Sequence, residues 1–301
     1  MSIENYVICK MVIGSPPRVA SDEPEYQACV SAVDGLQHIC DVEEKYESLI
    51  ENCIEWESAI SQHALRQMVS LDIGYIEVQD TRKFIARKLF NLLASSRLFL
   101  DSLPKHAKRI LPDDPIRLNL IKDAPGAQYD SRLSYRVMEA LRNYAQHAAL
   151  PIHGITTHAS RDIEPHTLSF AVLPILDYEQ LAQDGSFKKS VLGEIGDLQK
   201  IEMKPMVREY IEGLSAIHNI FRNTTHPRSN ACIAQLNKST ERFARQFPEE
   251  TTLALSVLPV DCRGLKAGEE VYIAGPMEDY LAHMQRKYST MVNFAKRKVD
   301  F

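Results

Sequence analysis

Arg142 and His147 lie five residues apart in the stretch RNYAQH, and their side chains are suited to cutting RNA without a metal ion. A histidine can move a proton near neutral pH, taking it from the ribose 2′-OH or giving it to the leaving oxygen. An arginine stays charged and can hold the scissile phosphate through two donors. Attack by the 2′-OH would leave a 2′,3′-cyclic phosphate. Asn143 lies one turn before His147, where its amide could orient the imidazole or contact the phosphate.

The same residues belong to a segment whose apolar positions recur at helical spacing. The predicted helix covers 130–150, with Asp130 or Ser131 as its cap and Pro151 as its stop. One stripe, which must pack against a core, comprises Leu133, Val137, Met138, Leu141, Tyr144, Ala145 and Ala148. The motif's arginine and histidine are about 140° apart around the axis, so one helix cannot bring them side by side. Two copies related by a twofold axis could, which predicts a homodimer.

This segment resembles the R-x(4–6)-H motif of HEPN domains, in its common R-N-x-x-x-H form near the end of a helical bundle. That family includes metal-independent endoribonucleases of toxin–antitoxin, abortive-infection and CRISPR-linked systems, and also members that only bind nucleotides or proteins. The resemblance covers residues 41–154. It implies catalytic roles for Arg142 and His147, supporting roles for Asn143 and Glu139, no cofactor, a shared dimer cleft, and an antitoxin or regulatory partner.

Spacing alone is a weak criterion, because the chain contains a second pair at the same separation, Arg161 and His166, with Pro165 between them in an expected loop. The asparagine, the helical setting and the preceding bundle favour the first pair. The leading hypothesis is therefore a dimeric, metal-independent endoribonuclease in a defence or toxin role. Two other interpretations stay open: a non-catalytic nucleotide- or protein-binding regulatory module, and a helical scaffold in which the motif is part of a solvated helix face.

Composition limits the partners. The formal net charge of −5 gives no global attraction to nucleic acid, so any RNA contact requires a local basic patch. Four cations on one face of the expected helix 80–103 could form that patch and are candidate RNA contacts: Arg82, Lys83, Arg87 and Lys88. The acidic residues of the preceding segment, 41–57, could equally neutralise this face if the two helices are neighbours.

Several classes of protein and site have no support. No apolar run approaches the roughly 18 residues of a membrane span, and the N-terminus lacks the pattern of a signal peptide, so a cytoplasmic location is expected. Six scattered cysteines without a C-x-x-C pair indicate free thiols. Histidines 147, 153, 158 and 166 have spacings of 6, 5 and 8, which match no usual zinc pattern, so no metal is expected.

The predicted fold class is mainly α. A HEPN-like helical bundle with an N-terminal extension is expected in residues 1–154, followed in 155–301 by an α-rich accessory region of unknown role with a few short β-strands. Strands are expected at 5–14, 167–176, 251–259 and 270–274, the second kept at a sheet edge by Pro174. Helices are expected at 25–70 with a break near Asp41, 80–103, 116–122, 130–150, 187–222 in two pieces around Pro205, 229–247 and 276–298.

Overall fold

The structure is a computed structural model that describes residues 3, 5–12, 14, 16–70, 74–161, 168–196 and 198–298. It is 66% helical, which confirms the mainly α class. The helices found in the described part of the chain are α1 (Glu23–Val69), α2 (Tyr75–Ile110), α3 (Pro115–Ser131), α4 (Leu133–His147), α5 (Tyr178–Asp184), α6 (Lys189–Ile195), α7 (Met203–Gln246) and α8 (Met277–Lys287). A 3₁₀-helix follows at Phe294–Lys296. His166 of the second motif copy and Thr167 of the expected strand lie outside the described residues.

Short strands form two antiparallel sheets. The first has the order β2-β1-β6-β7, from Arg18–Ser21, Asn5–Lys10, Leu255–Val260 and Val271–Tyr272. Its centre joins the beginning of the chain to a segment about 250 residues later, with Val7 opposite Leu258. The second sheet has the order β3-β4-β5, from Gly154–Arg161, Leu168–Asp177 and Lys200–Glu202. The expected hairpin near residues 251–274 is confirmed by the pairing of β6 with β7.

The chain divides into two compact units. Unit 1 comprises Met1–Glu44, Pro104–Asn119 and Phe221–Ser289, and unit 2 comprises Lys45–Leu103, Leu120–Ile220 and Thr290–Phe301. The long helices α1, α2 and α7 each contribute one portion to each unit. The proposed boundary between residues 154 and 155 does not coincide with these units, and as a division between functional domains it stays a prediction.

Unit 2 contains α4 and the motif. Its core includes large aromatic side chains that are at most 1% exposed: Tyr46, Trp56, Phe99, Phe187 and Tyr210. The apolar stripe of α4 packs into this unit, with Val137, Met138, Leu141 and Tyr144 all buried. The stripe prediction is confirmed at these positions, whereas Ala148 at the end of the helix is exposed.

The long helices are longer than the sequence pattern predicts. α1 runs through Asp41 without a break, because Ile39 and Val42 on either side are buried and packing outweighs the weak helix propensity of aspartate. α2 continues past Pro104 to Ile110, with Leu103 and Ala107 buried along the same stripe. Burial of such a stripe offsets the cost of an internal proline, about 3 kcal/mol.

Helix boundaries predicted from three other prolines also differ from the structure. α3 contains Pro125, where a loop is expected, and α7 runs through Pro227, where a gap between two helices is expected. Pro205 lies in the first turn of α7 rather than between two helices, because the first turn needs no donor from that residue. The final helix, expected to reach 298, ends at Lys287, where Tyr288 has an extended backbone.

The start of α4 also differs from the prediction. Asp130 and Ser131, the expected caps, belong to the end of α3, and the Ser131 hydroxyl donates to the Ala127 carbonyl at 2.7 Å. Arg132 occupies the cap position with an extended backbone and makes no side-chain cap bond. The two helices are therefore separated by this single residue, which leaves no turn in which a separate cap could form.

Two strand predictions are wrong. β4 is the central strand of its sheet and contains Pro174, which was expected at an edge. Proline is accommodated because β5 pairs only with Ile175–Asp177, so Pro174 lies just beyond the part of β4 that β5 covers. Residues 154–161, expected as a loop, form β3 through pairing along β4. Polar β3 has no apolar alternation, so its strand is defined by its partner.

Across the described residues, no helix combines the length and apolar character that crossing a membrane requires.

All six cysteines are free; Cys262 is exposed and the other five are buried. Burial raises the pKa of the Cys53 thiol to about 12 and that of Cys40 to about 11, so both stay protonated at neutral pH.

Candidate functional site

The polar residues of the motif differ in exposure along the last turns of α4. Asn143 and His147 are exposed, whereas the side chain of Arg142 is only 14% exposed. α4 ends at His147, and the next backbone N–H, that of Ala148, donates to the carbonyl of Tyr144 at 2.8 Å. The helix therefore stops shortly before Pro151, as the sequence predicts, and its last turn presents the histidine to solvent.

Arg142 lies near a partly buried acidic partner. Its Nε is 3.8 Å from Oε2 of Glu139, one turn earlier on α4. The other oxygen of Glu139 accepts a hydrogen bond of 2.7 Å from the hydroxyl of Tyr210 on α7. Burial and the nearby Glu139 charge raise the pKa of Tyr210 well above its usual range, so this hydroxyl keeps its proton and donates. Glu139 is thereby fixed in place and attracts Arg142 by its charge, while the Nε of Arg142 makes no hydrogen bond within the described residues.

The structure brings together two of the predicted site residues, Glu139 and Arg142, and adds Tyr210 to them. Sequence reasoning missed Tyr210 because it lies 71 residues beyond Glu139 and carries no local signal. His147 makes no hydrogen bond or ion pair with any other residue that the structure describes. One copy of α4 therefore positions the arginine but does not assemble an arginine–histidine pair.

Two cations of the predicted basic face are engaged within unit 2. Arg82 donates through Nη1 to the carbonyl of Ile152 at 3.0 Å. Lys88 on α2 donates to Glu55 on α1 at 2.7 Å, so these two helices are neighbours whose opposite charges pair. This pairing is the alternative that the acidic segment 41–57 raised, and it reduces the charge that Lys88 offers to RNA, whereas Arg82 is engaged by a neutral carbonyl.

The other two cations remain at the surface. Lys83 is 59% exposed and pairs with Asp80 on its own helix at 3.0 Å, a contact that water largely screens. Arg87 is exposed, and its guanidinium lies 5.3 Å from the ring centre of Phe84. Of the four candidate RNA contacts, Lys83 and Arg87 are thus the ones best placed to meet a phosphate.

A cleft of about 850 Å³ in unit 2 is lined by apolar residues and by a group of charged residues, which is called its rim below. β4 contributes Leu168 and Phe170 to its lining, and α1 contributes Leu65 and Met68. The rim carries four cations, Lys204, Arg208, Arg297 and Lys298, and one acid, Glu57. No local sequence pattern indicates this cleft, because its lining comes from four separate segments of the chain.

The arginine of the rim is held firmly. Arg208 is only 9% exposed and donates through Nη2 to Oε2 of Glu57 at 2.9 Å and through Nη1 to the carbonyl of Arg297 at 2.6 Å. Lys204 lies 3.6 Å from the same carboxylate. One carboxylate among four cations leaves the rim positive, so it favours an anion.

The histidines near the motif do not meet around a metal position in the described structure. His153 accepts a hydrogen bond from the Asp177 N–H at 3.1 Å, and its other nitrogen lies 3.2 Å from the Tyr144 hydroxyl. His158 is exposed on β3, and His166 is not among the described residues. A different group, His38, Asp41 and His106 in unit 1, brings three ligand atoms within 4.8 Å of one another.

Comparisons with known proteins identify no family for the chain. No protein-family model matches the chain, and neither a curated protein nor a solved structure matches it significantly. The resemblance to HEPN domains therefore stays a prediction, and it depends on the α4 motif, its helical setting and the helices that precede it.

Proposed function

We propose that the chain is a metal-independent endoribonuclease of HEPN type, with a site shared between two copies. One observation supports this most: Glu139, fixed by Tyr210, attracts Arg142, while Asn143 and His147 stay exposed at the same end of α4. A charged donor that is oriented before substrate arrives contributes more to catalysis than a mobile one.

The reaction follows from the chemistry of these groups. The 2′-oxygen of ribose attacks the adjacent phosphorus, the bond to the 5′-oxygen breaks, and the products carry a 2′,3′-cyclic phosphate and a 5′-OH. His147 of one copy accepts the 2′-OH proton, and the leaving 5′-oxygen takes a proton from water. Arg142 binds the phosphate, whose charge grows in the transition state, and Asn143 orients the substrate or the imidazole.

The shared site explains why one copy leaves its arginine and histidine apart. A twofold axis beside the end of α4 would place two Arg142 and two His147 side chains in one cleft. Lys83 and Arg87, the exposed cations of α2, would add charge that attracts RNA. A defence or toxin role, with an antitoxin or other regulatory partner, is proposed by analogy with the HEPN family.

Cleavage of mixed RNA by the purified protein in excess EDTA tests this function. We expect cyclic-phosphate ends and a loss of rate of at least roughly 100-fold in both Arg142→Ala and His147→Ala. His158→Ala removes an exposed histidine from β3 and should cut like the unmodified protein. Equal cleavage by the unmodified chain and His147→Ala would overturn the proposal.

A second candidate is a non-catalytic nucleotide-binding regulatory module, which the cleft of unit 2 favours. Its apolar lining suits a base and its positive rim suits phosphates. Titration with a fluorescent ATP analogue would then saturate, Lys204→Glu would weaken binding at least roughly tenfold, and His147→Ala would bind normally. Absence of saturable binding would remove this candidate, and absence of both activities would favour the scaffold interpretation.

A further inference from the structure

We propose that unit 1 contains a binding site for a divalent transition-metal ion, formed by His38, Asp41 and His106. His38 and Asp41 are three residues apart on α1, a spacing that places both side chains on one face of a helix. His106 comes from the last turns of α2, within the segment 104–119 of the same unit. The inference is independent of the proposed ribonuclease, whose residues belong to unit 2.

The three candidate ligand atoms form a triangle of suitable size. Nδ1 of His38 lies 3.2 Å from Nδ1 of His106, and Oδ2 of Asp41 lies 3.6 Å and 3.7 Å from these two nitrogens. A point equidistant from the three atoms is about 2.0 Å from each, as these separations require. Zinc binds histidine nitrogen at about 2.0–2.1 Å and carboxylate oxygen at about 2.0–2.2 Å. An ion in or just above the plane therefore needs almost no movement of its ligands.

Neighbouring groups hold the ligands in this orientation. Gln37 donates to the other oxygen of Asp41, Oδ1, at 3.0 Å, which directs Oδ2 toward the histidines. On the far side of the His38 ring, Nε2 lies 3.6 Å from Oδ1 of Asp34. A carboxylate behind a histidine favours the tautomer whose other nitrogen has a free lone pair, and it increases the basicity of that nitrogen.

A simple hydrogen bond between the two imidazoles accounts for only one side of the triangle. The distance of 3.2 Å between the Nδ1 atoms suits such a bond, in which one ring donates and the other accepts. Asp41 Oδ2, however, is 3.6–3.7 Å from both nitrogens, which is too long for hydrogen bonds. Two ligands of one tetrahedral ion are separated by about 3.3 Å, so a bound ion accounts for all three distances together.

The exposure of the cluster indicates an open site. His106 is 8% exposed, while the side chains of His38 and Asp41 are 21% and 30% exposed, so the cluster is partly accessible to solvent. Three protein ligands with a solvent-facing fourth position are typical of zinc sites that keep a water molecule, whereas structural zinc sites use four protein ligands. The site therefore suits Zn²⁺ or a similar ion with one exchangeable position.

Sequence reasoning missed this cluster. The two histidines are 68 residues apart, and H-x-x-D on a single helix is not a recognised metal motif. Only the packing of the end of α2 beside the first half of α1, within unit 1, brings the third ligand into place.

Metal titration of the full-length protein tests the proposal without RNA. After removal of metals with EDTA and dialysis, Co²⁺ should produce the visible absorption of a four- or five-coordinate site. Zn²⁺ should displace the Co²⁺ and raise Tm, and calorimetry should show one Zn²⁺ bound per chain. His106→Gln should weaken Zn²⁺ binding at least roughly 100-fold, and Asp34→Asn, behind the ligand, roughly tenfold.

Two further variants keep the result interpretable. His283→Gln removes an exposed histidine of α8 in the same unit and should bind Zn²⁺ normally. Asp41→Asn preserves side-chain shape at a partly exposed position, so it tests the site even if His106→Gln fails to fold. Binding of Zn²⁺ by Asp41→Asn with unchanged affinity, or no binding by the unmodified chain at roughly 10 μM Zn²⁺, would overturn the proposal. Failure of the ribonuclease alone would leave these readouts unchanged.

Discussion

Tyr135 and Tyr210 lie in contact in unit 2, with ring centres 5.0 Å apart, but their hydroxyl groups differ in what they meet. The Tyr210 hydroxyl donates to Glu139 at 2.7 Å. The Tyr135 hydroxyl is buried and has no hydrogen-bond partner in the described part of the chain. Variants of the two tyrosines therefore compare the loss of a hydroxyl that makes a hydrogen bond with the loss of a hydroxyl that makes none.

Removing each hydroxyl should change stability in different directions. Tyr210→Phe takes a donor from a largely buried carboxylate, so the free energy of unfolding should fall by about 1–3 kcal/mol. Tyr135→Phe removes an unsatisfied polar group and should be neutral or stabilising by up to about 1 kcal/mol. Urea denaturation of both variants measures the difference. Equal losses would show that Glu139 gains nothing from Tyr210.

His153 should contribute to the pH dependence of stability. Its Nδ1 accepts from the backbone of Asp177, so a proton added there would face another donor. Burial, the largest cause, lowers the pKa of His153 below its ordinary 6.5. Above that value both the folded and the unfolded protein hold a neutral His153. As pH falls through 6.5 toward the lower folded-state pKa, the unfolded chain takes up the proton first and stability is lost.

His153→Gln should therefore flatten the acid side of the stability profile. The amide of glutamine does not titrate, so the fall in unfolding free energy between about pH 7 and pH 5 should be smaller than in the unmodified protein. Denaturant titrations at several pH values measure this slope, with the exposed His158→Gln as the control. A slope that His158→Gln flattens equally would argue against a special role for His153.

Single residues also show what a sequence can and cannot predict about the candidate site. The positions of Arg142, Asn143 and His147 near the end of a helix follow from periodicity and a proline stop, and the structure agrees. The partner of Glu139 and the meeting of His38 with His106 depend on helix packing over 71 and 68 residues of chain. No local pattern encodes such pairs.

Among the helices, α1 and α7 are joined in unit 1 by a buried ion pair. Glu43 is 1% exposed and Arg222 is 17% exposed, and two parallel bonds of 2.8 Å and 2.7 Å link them. Arg222 also donates to the carbonyl of Tyr288, just after α8, at 2.8 Å. The arginine thus connects three segments of unit 1.

Removing one charge of this ion pair should lower the free energy of unfolding more than removing both charges. Glu43→Met or Arg222→Met alone removes one charge of the pair and leaves the other without this counter-ion, so it should lower the unfolding free energy by about 3–5 kcal/mol. The double variant Glu43→Met with Arg222→Met removes both charges and should be more stable than the sum of the single losses predicts. Additive losses in this double-mutant cycle would contradict a direct coupling between the side chains.

Helix boundaries show where local rules yield to packing. Three prolines lie inside helices, although proline predicts the end of a helix: Pro104, Pro125 and Pro227. In α2 the buried positions keep their spacing beyond the proline, so a periodicity test extended past Pro104 would have found the longer helix. β3 offers no comparable signal, because its strand depends on pairing with β4.

At the scale of the whole molecule, the two compact units are interleaved along the chain. Each unit takes residues from both sides of position 154, and β1 pairs with β6 across most of the sequence. A linear reading of composition and linkers divides a chain into consecutive pieces, so it cannot find units of this kind. The fold class was predictable from periodicity, whereas the grouping of its helices was not.

Mixing inactive variants shows whether the site is shared between two copies. Arg142→Ala and His147→Ala should each be inactive alone on RNA in EDTA. After equal amounts are unfolded and refolded together, half of the dimers should contain both variants and keep one arginine–histidine pair across the interface. We expect recovery of roughly a quarter of the unmodified activity. A mixture as inactive as its components, beside an unmodified protein that cleaves RNA, would contradict the shared site.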